Sequence, residues 1–244
     1  MSSSESSPYA FAVTSGLDIP DTLLDQCAKL FSAHYGVWND QAAIKISPFL
    51  KAGQHVKLST TKLRAECLEP PARSVLATCF TSDELVGHAF ATTWDYEGGT
   101  VGWVTQLVGI ATQLLQKLKP HPLFQNVTAV GLASSHPASV AALAKYNDVN
   151  QKVHEIDTKF ISTTAPKILA STPVNYLKGA PLLGSLFSTG TSENDLRGII
   201  SAIDTQFYVD HAEPLEDKQG GGWCLGELKE GHEFLIVVPV SHEA

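Results

Sequence analysis

The chain has 244 residues, of which 43% are hydrophobic and 17% are charged, and its formal net charge at pH 7 is -8. This length suffices for one large hydrophobic core, and the acidic balance offers no electrostatic attraction for a nucleic-acid backbone or an anionic membrane surface. Because no apolar run reaches the roughly 18 residues of a membrane span and no basic, apolar leader opens the chain, we expect a cytoplasmic protein, with the nucleus as a second possible location.

Cysteine and arginine usage restricts the chemistry further. The four cysteines are widely spaced and include no CxxC pair, which predicts reduced thiols and no metal site. Only three arginines occur, Arg64, Arg73 and Arg197, so an anionic ligand would depend on lysines or backbone N–H groups. We expect residues 1–7 to form a disordered lead and residues 8–244 to form a single domain, whose extended C-terminal part spans about 151–244.

The N-terminal third is predicted to hold one strand followed by helices. The run PYAFAVTSGL reads as a strand, and Pro20 with Asp21 then opens an amphipathic helix. The aromatic cluster at residues 34–38 is interpreted as closing the core, with the lining of a substrate cleft as the alternative. Ser47, before a proline, and Ser59 predict the starts of a second, interrupted helical stretch.

The middle of the chain changes to strands. SVLATCF, LVGHAFATTW and TVGWVTQLV are separated by short turns and predict an antiparallel meander. IATQLLQKL then places leucines on one helical face and stops at Pro120. VTAVGL predicts another strand, and Pro137 opens the helix ASVAALAKY, which we expect to end at Tyr146.

The last third is predicted to contain a short helical piece around residues 165–170 and two strands. The strands are SAIDTQFYVDH and HEFLIVVPV, separated by a glycine-rich connection at Gly220, Gly221 and Gly222. A meander followed by strand, helix, strand and helix is typical of an α/β (α+β) fold in which a mostly antiparallel central sheet gains one parallel pair and is flanked by helices.

The segment from Leu85 to Tyr146 resembles the central core of the GNAT superfamily of acyl-CoA N-acyltransferases, and more narrowly a fungal subgroup of it. The resemblance implies a GNAT-like fold and the transfer of an acetyl group from acetyl-CoA, used as co-substrate, to an amine. It implies a small-molecule or peptide amine as partner, with no nucleic acid and no membrane. The identity of the amine and the oligomeric state stay open.

The strand Trp103 to Val108, followed by Gly109-Ile110-Ala111, resembles the cofactor motif of this superfamily, in which a strand leads through a Q/R-x-x-G-x-G/A loop into a helix. Loop N–H groups and the helix N-terminus then cradle the coenzyme A pyrophosphate without needing arginine. The resemblance assigns cofactor binding to Gln106, Leu107, Val108, Gly109, Ile110, Ala111, Thr112 and Ser139.

The motif departs from the family pattern in one respect. Family members carry several residues, one of them basic or an amide, between the strand and G-x-A, whereas here Val108 directly precedes Gly109. Losing two or three charge-assisted bonds of about 1.5 to 3 kcal/mol each would lower cofactor affinity by at least about two decades. Three explanations stay open: a skipped exon, a non-catalytic binding or interaction protein, and a rearranged loop in which Gln106 and the preceding strand supply the donors.

A second motif, Ser139-x-x-Ala142-x-x-x-Tyr146, resembles N-x-x-A-x-x-x-Y, in which the tyrosine often protonates the departing coenzyme A thiolate. We therefore predict Tyr146 as a catalytic residue, with sealing of the core as the alternative. The resemblance also implies that backbone N–H groups of residues 105–107 polarise the thioester carbonyl.

The general base has no clear sequence signal. Asp95, Tyr96 and Glu97 lie at a predicted turn, where an acidic side chain could take the amine proton, although turn residues are more often only solvated. His136 precedes Pro137 and is interpreted as a helix cap more readily than as a base. No GxSxG, HExxH, GxxxxGK[ST] or GxGxxG motif offers a competing chemistry.

Overall fold

The computed structural model describes residues 8–187, 197–216 and 222–241. The predicted disordered lead at residues 1–7, and Gly220 and Gly221 of the predicted connection, lie outside these residues. The elements of the described chain are β1 (Tyr9–Ser15), α1 (Asp21–His34), α2 (Ala42–Lys45), α3 (Thr60–Cys67), β2 (Ser74–Thr81), β3 (Glu84–Tyr96), β4 (Gly99–Val108), α4 (Ala111–Leu118), β5 (Val127–Ser134), α5 (Pro137–Ala144), α6 (Thr158–Ala170), β6 (Leu182–Leu183), β7 (Ala202–Phe207), α7 (Ala212–Glu216) and β8 (Gly231–Pro239).

The eight strands form one sheet in the order β1-β2-β3-β4-β5-β8-β7-β6. Among the strands of the described residues, only the β4–β5 pair is parallel, and every other pair is antiparallel. The predicted fold class, a mostly antiparallel central sheet with one parallel pair and flanking helices, is therefore confirmed. The two predicted C-terminal strands pair with each other, and β8 lies between β5 and β7.

Alternating side chains divide the core into two layers, as the period of two in a strand requires. Leu76 and Phe90 pack with α1 and α3 on one face, whereas Val75 packs with α4 and α5 on the other. Helix α6 joins the first layer, because Trp94 donates its indole N–H to the carbonyl of Ile168 at 3.1 Å. Helices α1, α3 and α6 thus cover one face of the sheet, and α4 and α5 cover the other.

The centre of the first layer is Trp103 on β4, which is fully buried. Gly131 faces it on β5, and a Cβ atom at that position would lie 2.5 Å from the indole ring. The indole N–H donates to the hydroxyl of Tyr176 at 3.1 Å, in the short 3-10 helix Asn175–Leu177. Glycine at position 131 is therefore required by the close approach of the indole ring.

Helix boundaries differ from the predictions in three places. No helix begins at Ser47, since the short helix α2 precedes it and ends at Lys45. Helix α5 ends at Ala144, so Tyr146 lies in the turn that follows it. Helix α6 is longer than the predicted piece at 165–170, because the Asp157 carboxylate accepts the Phe160 N–H at 2.9 Å and starts the helix earlier.

The prediction at Ser59 is confirmed, because its hydroxyl oxygen accepts the N–H of Lys62 at 3.2 Å at the start of α3. The four cysteines are free thiols, and burial raises the pKa of both Cys27 and Cys67 to about 12. Within the described ranges, no helix has the length and apolar character needed to cross a membrane.

Candidate functional site

The candidate site lies where the two parallel strands separate. Strands β4 and β5 pair as far as Val104 and Leu132, and β4 then continues to Val108 while β5 continues to Ser134. Beyond the last pair, the backbone groups that face each other have no ladder partner across the gap. A cavity of about 660 Å³ occupies this gap and is lined by residues from both faces of the sheet.

A β-bulge on β4 lies beside the gap. Phe90 faces Gln106 and Ala91 faces Val104, so Thr105 is the extra residue on β4. A bulged residue stands outside the regular ladder and turns its backbone out of register. Thr105 also lines the cavity. The bulge therefore makes its N–H a candidate donor to a carbonyl oxygen bound in the gap, within the predicted stretch 105–107.

The buried carboxyl group of the cavity is Glu233, on β8. Glu233 is 5% exposed, lies opposite Ile203 and lines the cavity. Burial raises its pKa from 4.5 to about 7, against an opposing hydrogen bond from Thr205. A carboxylate with this pKa can accept a proton from an amine near neutral pH. The sequence analysis missed Glu233; its one signal was an acidic residue inside an otherwise apolar strand.

Two phenols lie near this carboxyl group. Tyr35 and Tyr176 both line the cavity, and the pKa of each is raised first by burial and second by the negative charge of Glu233. Both phenols are therefore protonated at neutral pH and can donate a hydrogen bond or a proton. The site thus combines one buried carboxyl group with two phenols.

The cavity wall includes six of the predicted cofactor-binding residues. Ile110 and Thr112 do not line it; the six that do are Gln106, Leu107, Val108, Gly109, Ala111 and Ser139. The Gln106 amide oxygen is 2.8 Å from Nε2 of His88. Burial lowers the pKa of His88 to about 4, so the ring is neutral and, in the tautomer with a proton on Nε2, donates to Gln106. This bond fixes the amide at the cavity wall.

The β4–α4 connection consists of Gly109 and Ile110 alone. Gly109 has a φ of +84°, and a Cβ atom there would collide with the carbonyl oxygen of Val86. The close approach of β3 therefore requires glycine at position 109, whether or not a ligand binds there. Within the described residues, the N–H groups of Thr112 and Gln113 donate to no acceptor, so the first turn of α4 keeps two donors for an anion.

Tyr146 lies in the hydrophobic core and does not line the cavity. Its side chain is 1% exposed, its N–H donates to the Leu143 carbonyl at 2.9 Å, and the Lys119 ammonium group lies 4.8 Å from its ring centroid. Burial raises the pKa of its phenol, which keeps it protonated. Its role as a catalytic residue stays a prediction.

The carboxylates of Asp95 and Glu97, at the turn between β3 and β4, lie outside the cavity. Asp95 accepts from Arg73 at 2.7 Å, and Glu97 pairs with Lys167 at 3.0 Å. Both lie where β4 begins, about 30 Å from its other end at the usual rise per residue. They do not line the cavity, so they do not qualify as the base. His136 occupies the N-cap position of α5 and lines the cavity, although its side chain does not cap the helix.

No family model matches this sequence, and no curated protein matches it. Among solved structures, the NatC complex bound to Gag peptide and CoA is 13% identical, with 57% of this chain and 80% of that chain covered and a TM-score of 0.37. A GNAT-family acetyltransferase from Streptococcus pneumoniae is 11% identical, with 56% and 83% covered and a TM-score of 0.35.

An aminoglycoside acetyltransferase from an uncultured soil metagenomic sample, in complex with sisomicin, is 12% identical, with 51% of this chain and 76% of that chain covered and a TM-score of 0.33. Two of these three proteins are named as acetyltransferases, and the third is bound to CoA.

Proposed function

We propose that this protein transfers an acyl group, in the first instance acetyl, from an acyl-CoA thioester to a primary amine. The observation that carries the proposal is the buried carboxyl group of Glu233, with a pKa near 7, in a cavity that opens between two diverging parallel strands. An amine attacks a thioester only after losing its proton, and a base with this pKa can remove that proton at neutral pH. Membership of the GNAT superfamily, and of its fungal subgroup, is part of the same proposal and rests on residues 85–146.

The proposed reaction is a direct transfer. The ammonium group of the acceptor gives a proton to the Glu233 carboxylate, and the neutral nitrogen then attacks the thioester carbonyl carbon. The Thr105 N–H stabilises the negative charge that develops on the carbonyl oxygen. A carbon–nitrogen bond forms, the carbon–sulfur bond breaks, and a phenol protonates the departing thiolate. The nitrogen still carries one proton more than an amide holds, and it releases that proton through solvent to the phenolate. The N–H groups of Thr112 and Gln113, in the first turn of α4, would hold the coenzyme A pyrophosphate.

We propose Tyr146 as the proton donor, which carries the sequence prediction forward, and the geometry adds Tyr176 as the alternative because it lines the cavity. The matched variants Tyr146→Phe and Tyr176→Phe each remove only a hydroxyl group. We expect Tyr146→Phe to lower kcat by about 10²-fold and Tyr176→Phe to lower it by less than about threefold. The reverse ranking, measured with equal folded fractions, would assign the role to Tyr176.

Cofactor binding is the first experimental test of the proposal. Acetyl-CoA at about 100 times its Kd should raise the free energy of unfolding by about 2.7 kcal/mol, because it binds only the folded state. The measurement is thermal or urea unfolding with increasing acetyl-CoA, with adenosine diphosphate at equal concentration as the control for non-specific nucleotide binding. An unchanged melting temperature at millimolar acetyl-CoA would refute the acyltransferase proposal.

The second candidate function is a binding or interaction protein that has lost coenzyme A binding. The two-residue β4–α4 connection favours it, since so short a segment offers few backbone donors. Inserting a loop of the family type between Val108 and Gly109 separates the candidates. If acetyl-CoA binding appears only in the folded insertion variant, the natural chain is a binding or interaction protein that has lost coenzyme A binding.

A further inference from the structure

The cavity has an aromatic wall made of Phe31, Tyr35, Trp38 and Phe207, all of which line it. The ring centroids of Phe31 and Tyr35 are 4.2 Å apart in a stacked arrangement, and Tyr35 lies 5.7 Å from Phe207. Trp38 meets Phe207 edge-on at 5.6 Å. The four rings therefore form one continuous apolar surface. The cluster at residues 34–38 thus packs against the core and also lines a cleft. Its two interpretations from the sequence, closing the core and lining a cleft, are therefore compatible.

The backbone holds this wall in place before any ligand binds. The Trp38 N–H donates to the Gln54 carbonyl at 2.9 Å, and the Asp210 N–H donates to the Val37 carbonyl at 2.8 Å. Trp38 also forms a β-bridge with Val209. A wall that is ordered in advance loses little conformational entropy on binding.

The wall begins beside the proposed base. Phe207 lies opposite Gly231, and Glu233 follows two residues later on the same face of β8, so the two side chains start on the order of 7 Å apart. Tyr35 is close enough to Glu233 for the carboxylate charge to raise the pKa of its phenol. A molecule with an amine at Glu233 would therefore lay its next few atoms against the rings.

The charges around the cavity favour a cation. Four carboxyl groups line it, whereas only two lysines do; the carboxyl groups belong to Glu66, Glu84, Asp210 and Glu233. Glu84 and Asp210 are exposed, Glu66 is half-buried and Glu233 is buried, so the negative charge attracts a cationic ligand chiefly at Glu233. Aromatic faces also attract an ammonium group at short range.

We propose that the acceptor is a primary amine that carries an aromatic or comparably bulky apolar group a few bonds from its nitrogen. This inference rests on the proposed function, because it takes Glu233 as the group that receives the amine proton. The ammonium group lies at Glu233, and the apolar group packs against Tyr35, Trp38 and Phe207. A phenyl ring buried there should strengthen binding by about 10-fold or more over a short alkyl amine.

The test is a calorimetric titration of the protein with four probes, in the absence and in the presence of CoA. The probes are 2-phenylethylamine, 2-phenylethanol without the charge, butylamine without the ring, and spermidine as a polar polycation. We expect 2-phenylethylamine to bind at least about 10-fold more tightly than each of the others. If spermidine binds more tightly, or butylamine binds equally well, the inference is overturned.

Variants locate the binding to the wall. Trp38→Leu and Phe207→Leu keep an apolar side chain but remove the rings, and each should weaken 2-phenylethylamine binding by about 10-fold while changing butylamine binding by less than about twofold. Phe49→Ala is the matched control, because Phe49 is 86% exposed and does not line the cavity. Unchanged binding to both ring variants, with melting temperatures like that of the natural chain, would also overturn the inference.

The outcomes separate this inference from the function on which it rests. If 2-phenylethylamine binds at the wall but is not acetylated in the presence of acetyl-CoA, the subsite stands and the proposed activity fails. If another amine is acetylated while 2-phenylethylamine neither binds nor reacts, the activity stands and the subsite is wrong.

Discussion

Replacing Glu233 with glutamine is expected to lower kcat by about 10²- to 10⁴-fold, the range typical of removing a general base. The amide keeps the shape and hydrogen-bonding capacity of the protonated carboxyl group but cannot accept the amine proton. The matched control is Glu84→Gln, because Glu84 lines the same cavity but is exposed to solvent. We expect the control to change kcat by less than about threefold, since an exposed charge acts weakly. Equal losses in both variants would rule out Glu233 as the base.

The pH profile gives this prediction a second readout. Since only the ionised carboxylate accepts a proton, kcat/KM of the natural chain should rise with pH and level off above about 7, the pKa of Glu233. In Glu233→Gln this ascending limb should disappear, leaving the titration of the free amine substrate. A retained limb near pH 7 would mean that another group takes the proton.

The same shift predicts the pH dependence of stability. The pKa of Glu233 is raised from 4.5 to about 7, so between these values the folded chain holds a proton that the unfolded chain releases. The free energy of unfolding therefore falls as pH rises through this window, by about 3 kcal/mol from this residue. Urea unfolding from pH 4.5 to 8 should show Glu233→Gln gaining stability over the natural chain as pH rises. Parallel curves for the two proteins would contradict the raised pKa.

Trp103→Ala is expected to lower the free energy of unfolding by about 3 to 5 kcal/mol, as large-to-small changes at fully buried aromatic residues do. The indole fills the space over Gly131, lies 5.9 Å from the ring of Trp94, and donates to the Tyr176 hydroxyl. Its removal leaves a cavity and takes away the donor that holds Tyr176. Urea unfolding with an unchanged m-value is the measurement.

A second substitution separates the two contributions. Trp103→Phe keeps most of the ring contacts but removes the indole N–H, so we expect a smaller loss, of about 1 to 3 kcal/mol, from the shape change and the lost hydrogen bond. Phe49→Ala again serves as the control, because a side chain that is 86% exposed should change stability by less than about 0.5 kcal/mol. A loss below about 1 kcal/mol in Trp103→Ala would contradict the packing described for this layer.

Local signals made much of the fold predictable. Strand-like runs separated by short turns in residues 74–108 predicted the meander, and Pro137 and Ser59 marked helix starts whose causes are chemical and short in range. Tyr146 shows the limit of such signals. The family spacing placed it at the end of a helix, whereas the helix ends at Ala144 and the ring enters the core. Spacing along a chain predicts where a residue lies in a helix, but it does not predict whether a side chain at the helix end points into the core or into a cavity.

The site itself was only partly predictable. The run around Gly109 was recognised because its residues are contiguous, yet the structure gives that glycine a second cause, the close approach of the Val86 carbonyl. Glu233 carried one local signal, an acidic residue in an otherwise apolar strand, but its place in the site depends on β8 lying beside β5. Its raised pKa also depends on burial among segments that are distant in the sequence, and no single-sequence pattern encodes that burial.

The placement of β8 between β5 and β7 has a consequence for the time course of folding. Ser134 and Phe234 are paired across these strands although about one hundred residues separate them in the chain, whereas the pairings among β2 to β5 each span fewer than about 30 residues. Loop-closure entropy must be overcome before so distant a pairing forms, so β8 should join a sheet in which β2 to β5 have already assembled. During synthesis, the growing chain would then hold its hydrophobic layers while still lacking Glu233. Each molecule would therefore form most of its sheet before it acquires the proposed proton acceptor.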